Sequence, residues 1–441
     1  MWPLSSSNCI MPFSARSAQT CSTPTFTETE LFGKMLRIAS LALGLALSRG
    51  QDDCAHGDGN ALLQSRRGNS SLALLSPEDP PNDYSFEEYM KQFQKSYPDK
   101  EELQKRKQAF ETSLKEVREH NAGKFSWKLG INEFSDYFPQ ELKAMRGLRK
   151  DRTKTGTEAM KEKDTASKGP VMIPDSFDWR EKGEYVTPAK NQGHCGSCWA
   201  FAATAVIESH AAIRTGILAE LGPQMMVSCA PNPRACGGTG GCEGATAQIG
   251  FGFVMNNALT YEETVSYSSF WGSSGECTDT MKLHYQHYPV VSVQNYVSNP
   301  TNQLGPLMEA LVTAGPQAIS VDASGWSPYV NGIADFCPTD RNIDIDHAVV
   351  LMGYGEENGV KYWTIRNSWG TLWGEDGYIR LIRHEKEQTH CGYDRTPMDG
   401  SACADEHVTE QYVCGTCGIL FDTSYPTGAH FVGVGSGDVN R

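Results

Sequence analysis

Apolar residues recur at helical spacing in two stretches that begin near residue 84. The first is FEEYMKQFQKSY, residues 86–97, and the second is EELQKRKQAFETSLKEVREHN, residues 101–121. Because residues three and four apart share one face of a helix, the pattern predicts two amphipathic helices. Their apolar stripes are Phe86, Tyr89, Met90, Phe93 and Leu103, Phe110, Leu114, Val117. A helical domain over residues 84–150 is marginal by itself, so we expect it to need a partner surface.

Two further elements are predicted in the second half of the chain. WAFAATAVIESHAAIRTG reads as a helix that ends at Gly216, with Ala202, Val206 and Ile213 facing inward. DHAVVLMGYG and KYWTIRNSWG read as two strands joined by EENG, which predicts an antiparallel hairpin. His347 lies near one end of this hairpin and Asn367 near the other, so the two side chains can meet across it.

The segments between these elements divide the chain. Residues 151–172 contain DRTKTGTEAMKEKDTASKG, which has no aromatic residue and predicts an exposed, protease-sensitive linker. A larger domain follows over residues 173–426. The last segment, 427–441, is rich in glycine and is expected to be a loose tail.

Composition and charge narrow the possible functions. The 441 residues include 53 acidic and 39 basic side chains, for a net charge of −14, which argues against a nucleic-acid partner. Eleven of the 14 cysteines lie from Cys195 onward. If one of them is free, the other ten can form five bridges, a pattern that indicates an oxidising compartment.

A targeting segment fits that compartment. In MLRIASLALGLALSRG, residues 35–50, Arg37 precedes an apolar run that is shorter than the about 20 residues a membrane span needs. We expect a secretory signal peptide with translation starting at Met35, so that residues 1–34 are an upstream extension. The alternative is a signal anchor or a longer transit peptide. The polar segment 51–83 holds an N-glycosylation acceptor at Asn69.

The sequence NQGHCGSCWAF contains Cys195 and Cys198 at C-x-x-C spacing. A thioredoxin-like redox pair is disfavoured because Trp199 follows the second cysteine instead of preceding the first. A zinc site is disfavoured because the other such pair begins at Cys414, 216 residues after Cys198. The remaining interpretation makes Cys195 structural and Cys198 a nucleophile. A helix amino terminus at Cys198 would stabilise its thiolate.

Three blocks, QGHCGSCWAF, DHAVVLMGYG and NSWGTLWGEDGYIRL, resemble the active-site blocks of papain-like cysteine proteases, the papain and cathepsin L group. His347 and Asn367 follow Cys198 by 149 and 169 residues, close to the spacing that the family shows. The resemblance covers residues 84–426. It implies an α+β fold with two lobes: a helical lobe that carries Cys198, and a β-barrel-like lobe that carries His347 and Asn367.

The resemblance also implies a role for each residue of the site. Cys198 attacks the peptide carbonyl and forms a thioester, and His347 holds the proton and delivers it to the leaving amine. Asn367 orients the imidazole, and Trp369 covers the contact between them. Gln192 matches the glutamine of the oxyanion hole.

The helical domain resembles the inhibitory propeptide of the same family, which makes it an intramolecular inhibitor. Its long helix keeps four of the six residues in the family's series and departs from it at Ser113 and Val117. The matching residues are Glu102, Arg106, Phe110 and Asn121, followed by the motif Gly130, Asn132, Phe134 and Asp136. Acid is expected to loosen the inhibitor by protonating carboxylates such as Asp136.

By resemblance, three disulfides join Cys195 to Cys242, Cys229 to Cys277 and Cys337 to Cys417. Cys417 is preferred to Cys391 because Tyr425 and Pro426 follow it at the family's spacing. Residues 385–415 then form an insertion. The connectivity of the remaining four stays open: Cys236, Cys391, Cys403 and Cys414.

The resemblance places the substrate-binding residues at Gly244, Ala245, Thr246, Ala247, Ser320, Ile345 and Asp422. Asp422, on the floor of the S2 pocket, would admit arginine as well as leucine or phenylalanine at P2. The alternative is a solvated surface charge. Ala245 stands where the family usually has a glycine, so the edge that lies along the substrate is expected to be narrower.

These observations predict a cysteine endopeptidase made as a zymogen, secreted or lysosome-like, that acts on protein or peptide substrates. No cofactor or metal and no stable membrane span are expected. Endopeptidase action is favoured because no insertion like the cleft-blocking loops of exopeptidase members is evident. The alternatives are a catalytically silent homologue that binds or inhibits, and a metal-binding secreted protein that uses the C-x-x-C pairs.

Overall fold

A computed structural model of the protein describes residues 79–147 and 171–432. The predicted extension, the signal peptide, the glycosylation site, most of the linker and the last nine residues lie outside these ranges. Within them, no helix is long and apolar enough to cross a membrane.

The described residues form eight α-helices, thirteen strands and five short 3-10 helices. The α-helices are α1 Phe86–Gln92, α2 Lys100–Asn121, α3 Pro139–Met145, α4 Cys198–Thr215, α5 Gln224–Cys229, α6 Ala247–Asn256, α7 Asp279–His287 and α8 Leu304–Thr313. The strands are β1 Trp127–Leu129, β2 Phe177–Asp178, β3 Val291–Ser292, β4 Asn295–Ser298, β5 Gln317–Val321, β6 Tyr329–Ala334, β7 His347–Glu357, β8 Val360–Arg366, β9 Tyr378–Ile382, β10 Cys391–Asp394, β11 Gln411–Cys414, β12 Asp422–Thr427 and β13 His430–Phe431. The 3-10 helices are Trp179–Glu181, Ser269–Trp271, Glu387–Thr389, Pro397–Asp399 and Thr416–Gly418.

Helices α1 and α2 build the core of the amino-terminal domain, here residues 84–147. Their buried apolar residues include Phe86, Tyr89, Phe110, Leu114 and Val117. The predicted stripe is wrong at Leu103, which is 37% exposed. Because α1 has seven residues and α2 has 22, the shorter helix covers only part of the longer one.

The amino-terminal domain finds its partner surface on the edge of the main sheet. Strand β1 pairs antiparallel with β6, with Trp127 opposite Gly332. Gly332 has φ +92, and a Cβ there would lie 2.3 Å from the Ser126 carbonyl oxygen, so only glycine permits this approach. Asn132 also donates to the Ser327 carbonyl at 2.7 Å.

Helix α4 is the centre of the helical lobe, which comprises α4, α5 and α6. It begins at Cys198 and ends at the left-handed cap Gly216, as predicted. Fifteen consecutive residues from Cys198 to Ala212 are buried. A helix that is buried on all sides needs apolar or small residues on every face, and the run of alanines supplies them.

The predicted hairpin is present as β7 and β8, which pair antiparallel across a turn at Asn358 and Gly359. Both turn residues have positive φ, the conformation that two-residue hairpin turns require. The hairpin lies in a nine-stranded sheet with the order β1-β6-β9-β8-β7-β5-β12-β4, and β2 pairs with β7. This sheet is open and does not close into the barrel-like lobe that was expected, and β1 of the amino-terminal domain forms its edge beside β6.

The start of the tail differs from the expectation, whereas the C-x-x-C pairs agree with the interpretation that makes Cys195 structural. His430 and Phe431 form β13 and pair with β3, so the start of the glycine-rich tail is ordered. The redox and zinc interpretations are wrong, since Cys195 pairs with Cys242 and every cysteine of the described ranges except Cys198 is in a disulfide. No group of three or more possible metal-ligating side chains is found in the described ranges.

The other four disulfides are Cys229–Cys277, Cys337–Cys417, Cys236–Cys403 and Cys391–Cys414. The first two are the pairs that the family resemblance implies. The last two give the connectivity that the sequence left open. Cys391–Cys414 closes the β10–β11 hairpin of the insertion, whereas Cys236–Cys403 joins the insertion to the helical lobe.

Candidate active site

The candidate nucleophile is held by the turn that precedes helix α4. Cys198 is the first residue of the helix, is 3% exposed and carries a free thiol. The turn is fixed by the Cys195–Cys242 disulfide and by a hydrogen bond from the Gly196 N–H to the Cys242 carbonyl at 3.1 Å. These contacts leave the Cys198 sulfur at the helix amino terminus.

The hairpin brings the candidate histidine and asparagine together. His347 is the first residue of β7, and Asn367 follows directly after β8. His347 Nε2 and Asn367 Oδ1 are 2.8 Å apart, and Asn367 Oδ1 also accepts from the Ser368 N–H at 2.8 Å. Since an amide oxygen accepts, Nε2 carries the proton, which leaves the buried Nδ1 without a hydrogen-bond partner in the described residues.

Trp369 covers the contact between His347 and Asn367. Its ring stacks on the imidazole, with centroids 5.1 Å apart and an interplanar angle of 29°, and it is 2% exposed. Trp326 meets the same imidazole edge-on at 6.3 Å. The two indoles exclude water from the hydrogen bond that orients the imidazole.

The thiol and the histidine strand share one buried space, in which both groups are neutral. The Ala348 N–H, next to His347, points at the Cys198 sulfur. Burial raises the pKa of the Cys198 thiol to about 12, although this amide and two others favour the thiolate. Burial lowers the pKa of His347 to about 4, and the hydrogen bond to Asn367 opposes this shift. The helix terminus therefore does not ionise the thiol in this state.

Gln192 lies beside the nucleophile, with its amide turned to a peptide carbonyl. Its Nε2 donates to the Met145 carbonyl at 2.6 Å and to the Cys195 carbonyl at 2.7 Å. Its Oε1 accepts from the Ser368 hydroxyl at 2.5 Å, which fixes the orientation of the amide. Met145 belongs to the amino-terminal domain, so the Gln192 amide is engaged by a carbonyl of that domain.

The end of the amino-terminal domain, residues 144–147, fills the space over the thiol. The Cys198 thiol donates to the Arg146 carbonyl with sulfur and oxygen 3.7 Å apart. A Cβ at Gly147 would lie 3.7 Å from the Cys198 sulfur and 3.3 Å from the Gly244 Cα. A Cβ at Gly196 would lie 2.7 Å from the Gly147 Cα. Glycines in both segments allow this close passage, which covers the thiol.

A buried ion pair anchors this segment to the opposite wall. Arg146 Nε and Asp346 Oδ2 are 2.7 Å apart, with the two side chains 10% and 0% exposed. Burial raises the pKa of Asp346 well above its ordinary range, and Arg146 opposes that shift. Asp346 directly precedes His347, so the amino-terminal domain contacts the residue next to the candidate histidine.

The predicted substrate-binding residues come from two parts of the chain, here called the two walls of the predicted S2 pocket. Gly244, Ala245 and Thr246 lead from Cys242 into α6, which begins at Ala247. On the other wall, Ile345 lies two residues before His347. Each wall therefore supplies part of the predicted S2 pocket.

Asp422 and Ser320 are opposite one another on β12 and β5. Asp422 accepts hydrogen bonds from Ser320 Oγ and from Gln248 Nε2, both at 2.6 Å. Burial raises the pKa of Asp422, and these two hydrogen bonds oppose the shift. The carboxyl is thus a fixed, partly buried group and is not a freely solvated surface charge.

Sequence reasoning missed four residues that shape this site. Asp346 and Ser368 could have been found from the motifs, because each is adjacent to a predicted catalytic residue: Asp346 precedes His347, and Ser368 follows Asn367. Arg146 and Gln248 carry no local signal. Their roles depend on which distant residue each one meets.

Comparison with known proteins agrees with this geometry. The model of the papain family cysteine protease matches residues 173–401, and that of the cathepsin propeptide inhibitor domain (I29) matches residues 86–142. Pro-cathepsin H of Bos taurus is 35% identical over 313 residues, which are 70% of this chain and 87% of that protein. The cathepsin L-like proteinase of Phaedon cochleariae is 34% identical over 314 residues, 70% of this chain and 90% of that protein.

Solved structures agree as well. Digestive procathepsin L 3 of the Tenebrio molitor larval midgut aligns with a TM-score of 0.60 at 26% identity, covering 77% of this chain and 97% of that chain. The resemblance and the two-lobed α+β fold predicted from the sequence are confirmed. This chain belongs to the papain family of cysteine proteases, and a cathepsin-type inhibitor domain precedes its protease domain.

Proposed function

We propose that this protein is the zymogen of a cysteine peptidase that hydrolyses peptide bonds through Cys198, His347 and Asn367. The observation that carries the proposal is the hydrogen bond between His347 and Asn367, at 2.8 Å, beside a free thiol at a helix amino terminus. Removal of the amino-terminal domain rehydrates the thiol and the imidazole. The proton can then pass from Cys198 to His347 Nδ1, which gives the reactive ion pair.

In the proposed reaction the Cys198 sulfur attacks the carbonyl carbon of the substrate and a carbon–sulfur bond forms. Gln192 Nε2 and the Cys198 N–H stabilise the negative charge on the carbonyl oxygen. His347 gives its proton to the leaving amine as the carbon–nitrogen bond breaks, and water then hydrolyses the thioester. Met145, whose carbonyl already accepts from Gln192, marks where the substrate carbonyl would lie.

The catalytically silent alternative has no support, because neither Cys198 nor His347 is substituted. Endopeptidase action stays a prediction, and so does the compartment. The family relationship and the five disulfides support the secretory pathway. A lysosome-like or extracellular destination is proposed from the resemblance.

Acid incubation of the full chain tests the proposal. The wild type is expected to lose the amino-terminal domain and then to hydrolyse a short fluorogenic peptide. Cys198→Ala is expected to do neither by itself. If Cys198→Ala processed itself and cleaved the peptide at the wild-type rate, the proposed nucleophile would be wrong.

A further inference from the structure

The insertion between β9 and β12 crosses from one wall of the cleft to the other. Residues 397–405, here called the strap, lie between the strands of its β10–β11 hairpin. We propose that the strap closes the cleft on the amino-terminal side of the scissile bond, so that the mature enzyme accepts only about two substrate residues on that side. This inference rests on the proposed chemistry of Cys198 and His347, and it runs against the prediction of endopeptidase action, because the strap supplies a barrier that the sequence did not reveal.

One end of the strap is seated on the wall that leads to the catalytic histidine. A Cβ at Gly400 would lie 2.1 Å from the Ile345 carbonyl oxygen, so the strap backbone is directly against Ile345. Just before the strap, Asn342 Nδ2 donates to Thr396 Oγ1 at 3.0 Å, and Thr396 Oγ1 donates to Asp344 at 3.1 Å. The loop before His347 is therefore the support for this end.

The other end is fixed to the helical lobe. The Gly237 N–H donates to the Ala402 carbonyl at 3.1 Å, and the Ala404 N–H donates to the Arg234 carbonyl at 2.9 Å. The Cys236–Cys403 disulfide makes the attachment covalent. Arg234 adds a bidentate ion pair to Asp405, at 2.9 and 3.0 Å.

The attachment loop packs on the strand that the substrate would follow. A Cβ at Gly237 would lie 2.6 Å from the carbonyl carbon of Ala245, and the Gly240 N–H donates to the Gly244 carbonyl at 2.8 Å. Gly400 thus contacts one predicted S2 wall, and two residues later Ala402 bonds to a loop that contacts the other. Two residues span at most about 7 Å. A chain of that length bridges the two walls directly beside the S2 pocket.

The strap also contacts the amino-terminal domain, through helix α3. Lys143 Nζ and Asp399 Oδ2 are 3.6 Å apart. This cation leaves with the amino-terminal domain, and a carboxylate at the end of a closed cleft then faces the substrate. Asp399 is placed to receive the α-ammonium group of a peptide in the position of the Lys143 ammonium, so the expected substrates are peptides with a free amino terminus.

The experiment compares two substrates of the processed full-length enzyme. One carries a free amino terminus two residues before the scissile bond, and the other has the same sequence with three more residues in front. We expect kcat/KM to be about tenfold or more higher for the short substrate. Equal kcat/KM values for the two substrates would overturn the inference while leaving the proposed function in place. Failure to cleave either substrate would overturn both.

The Cys236→Ser/Cys403→Ser variant tests whether the strap causes the preference. Without the Cys236–Cys403 disulfide, the ratio of kcat/KM for the short substrate to kcat/KM for the long substrate is expected to fall to about threefold or less. The matched control is Cys391→Ser/Cys414→Ser, which removes the other disulfide of the insertion and is expected to keep the ratio. A ratio unchanged in the first variant would contradict the proposal. Intact mass after alkylation verifies that the disulfides survive the mild reductant of the assay.

Two milder variants serve if the double variant does not fold. Arg234→Ala removes only a surface ion pair and is expected to lower the ratio about twofold. Asp399→Asn is expected to reduce the advantage of a free over an acetylated amino terminus by about two- to threefold, since the site is partly exposed. Wild-type ratios in both variants would count against the strap as the cause.

Discussion

Arg146 of the amino-terminal domain and Asp346 of the protease domain form a buried ion pair next to His347, with Nε and Oδ2 2.7 Å apart. A charge that is buried with a partner becomes costly when the partner is removed. The pair therefore couples the position of the inhibitor to the wall that carries His347.

Arg146→Ala is expected to weaken the inhibitor. Loss of the guanidinium leaves Asp346 buried without a countercharge, at a cost of about 2–4 kcal/mol, part of which protonation of the carboxyl relieves. In the full-length zymogen, alkylation of Cys198 at neutral pH should become about tenfold faster or more. Lys143→Ala is the control, because its partly exposed 3.6 Å contact with Asp399 is expected to contribute little. Equal rates in the two variants would contradict this prediction.

The charge state of the thiol should change on activation. In the zymogen, burial raises the pKa of Cys198 to about 12 and lowers the pKa of His347 to about 4, so both groups are neutral between those values. Iodoacetamide should therefore react slowly with the zymogen from acid to neutral pH. After processing, the rate near pH 6 should rise about 100-fold, because the thiolate then forms. A zymogen that reacts with iodoacetamide as fast as the mature enzyme would contradict this prediction.

Gln192→Ala should lower kcat about 100-fold with little change in KM, because the amide acts on the charge that develops in the transition state. Gln192 also accepts from Ser368 at 2.5 Å, so the variant loses a second contact. Ser368→Ala removes that contact alone and is the control, with an expected loss of less than about tenfold. Steady-state kinetics of the processed enzymes measure both. A Ser368→Ala loss as large as that of Gln192→Ala would assign the effect to packing.

Asp422→Ala should change the preference at P2. If Asp422 lies on the floor of the S2 pocket, the ratio of kcat/KM for P2-arginine over P2-leucine substrates should fall about tenfold or more. Because burial raises the pKa of Asp422, cleavage of the P2-arginine substrate by the wild type should decline earlier on acidification than cleavage of the P2-leucine substrate. Ser320→Ala keeps the carboxyl and is the control. Unchanged proportions in Asp422→Ala would remove the pocket role.

Asp344 should make the stability of the zymogen depend on pH. Its pKa is raised from 3.8 to about 6 by burial first and by Asp394 second. A raised carboxyl pKa contributes stability that is complete below about pH 4 and is lost as the pH rises through about 6. Asp344→Asn, made in the Cys198→Ala zymogen, should therefore gain about 1–2 kcal/mol near pH 7 and nothing near pH 4, since partial exposure reduces the effect.

Thermal unfolding measures that difference, with an expected rise in Tm of about 2–4 °C near pH 7. The parent Cys198→Ala zymogen at both pH values is the control. An equal shift at the two pH values would mean that the substitution acts through packing and not through the charge.

The sequence predicted the elements that depend on near neighbours in the chain. Helix α4 and its Gly216 cap, and the β7–β8 hairpin with its turn at Asn358, were found where the pattern placed them. The hydrophobic period and the turn residues that specify such elements lie within a few positions of one another. The tail was an exception, since His430 pairs with Ser292, far away in the chain.

The sequence also placed Cys198, His347, Asn367 and Gln192 as candidates, because the order and spacing of three motifs identified them together. Leu103 shows the limit of periodicity. The long helix was predicted correctly, but Leu103 is exposed because the seven-residue helix α1 covers only part of the apolar stripe.

By itself, then, the sequence determined the family, the helix that presents Cys198 and the hairpin that carries His347 and Asn367. Only the tertiary structure decided that Arg146 meets Asp346 and that Cys236 joins Cys403, 167 residues later, across the cleft. The physical reason is that these contacts arise where separately folded segments pack against each other. The energy of these contacts depends on the distance between segments that are far apart in the chain, and no local pattern of residues predicts that distance.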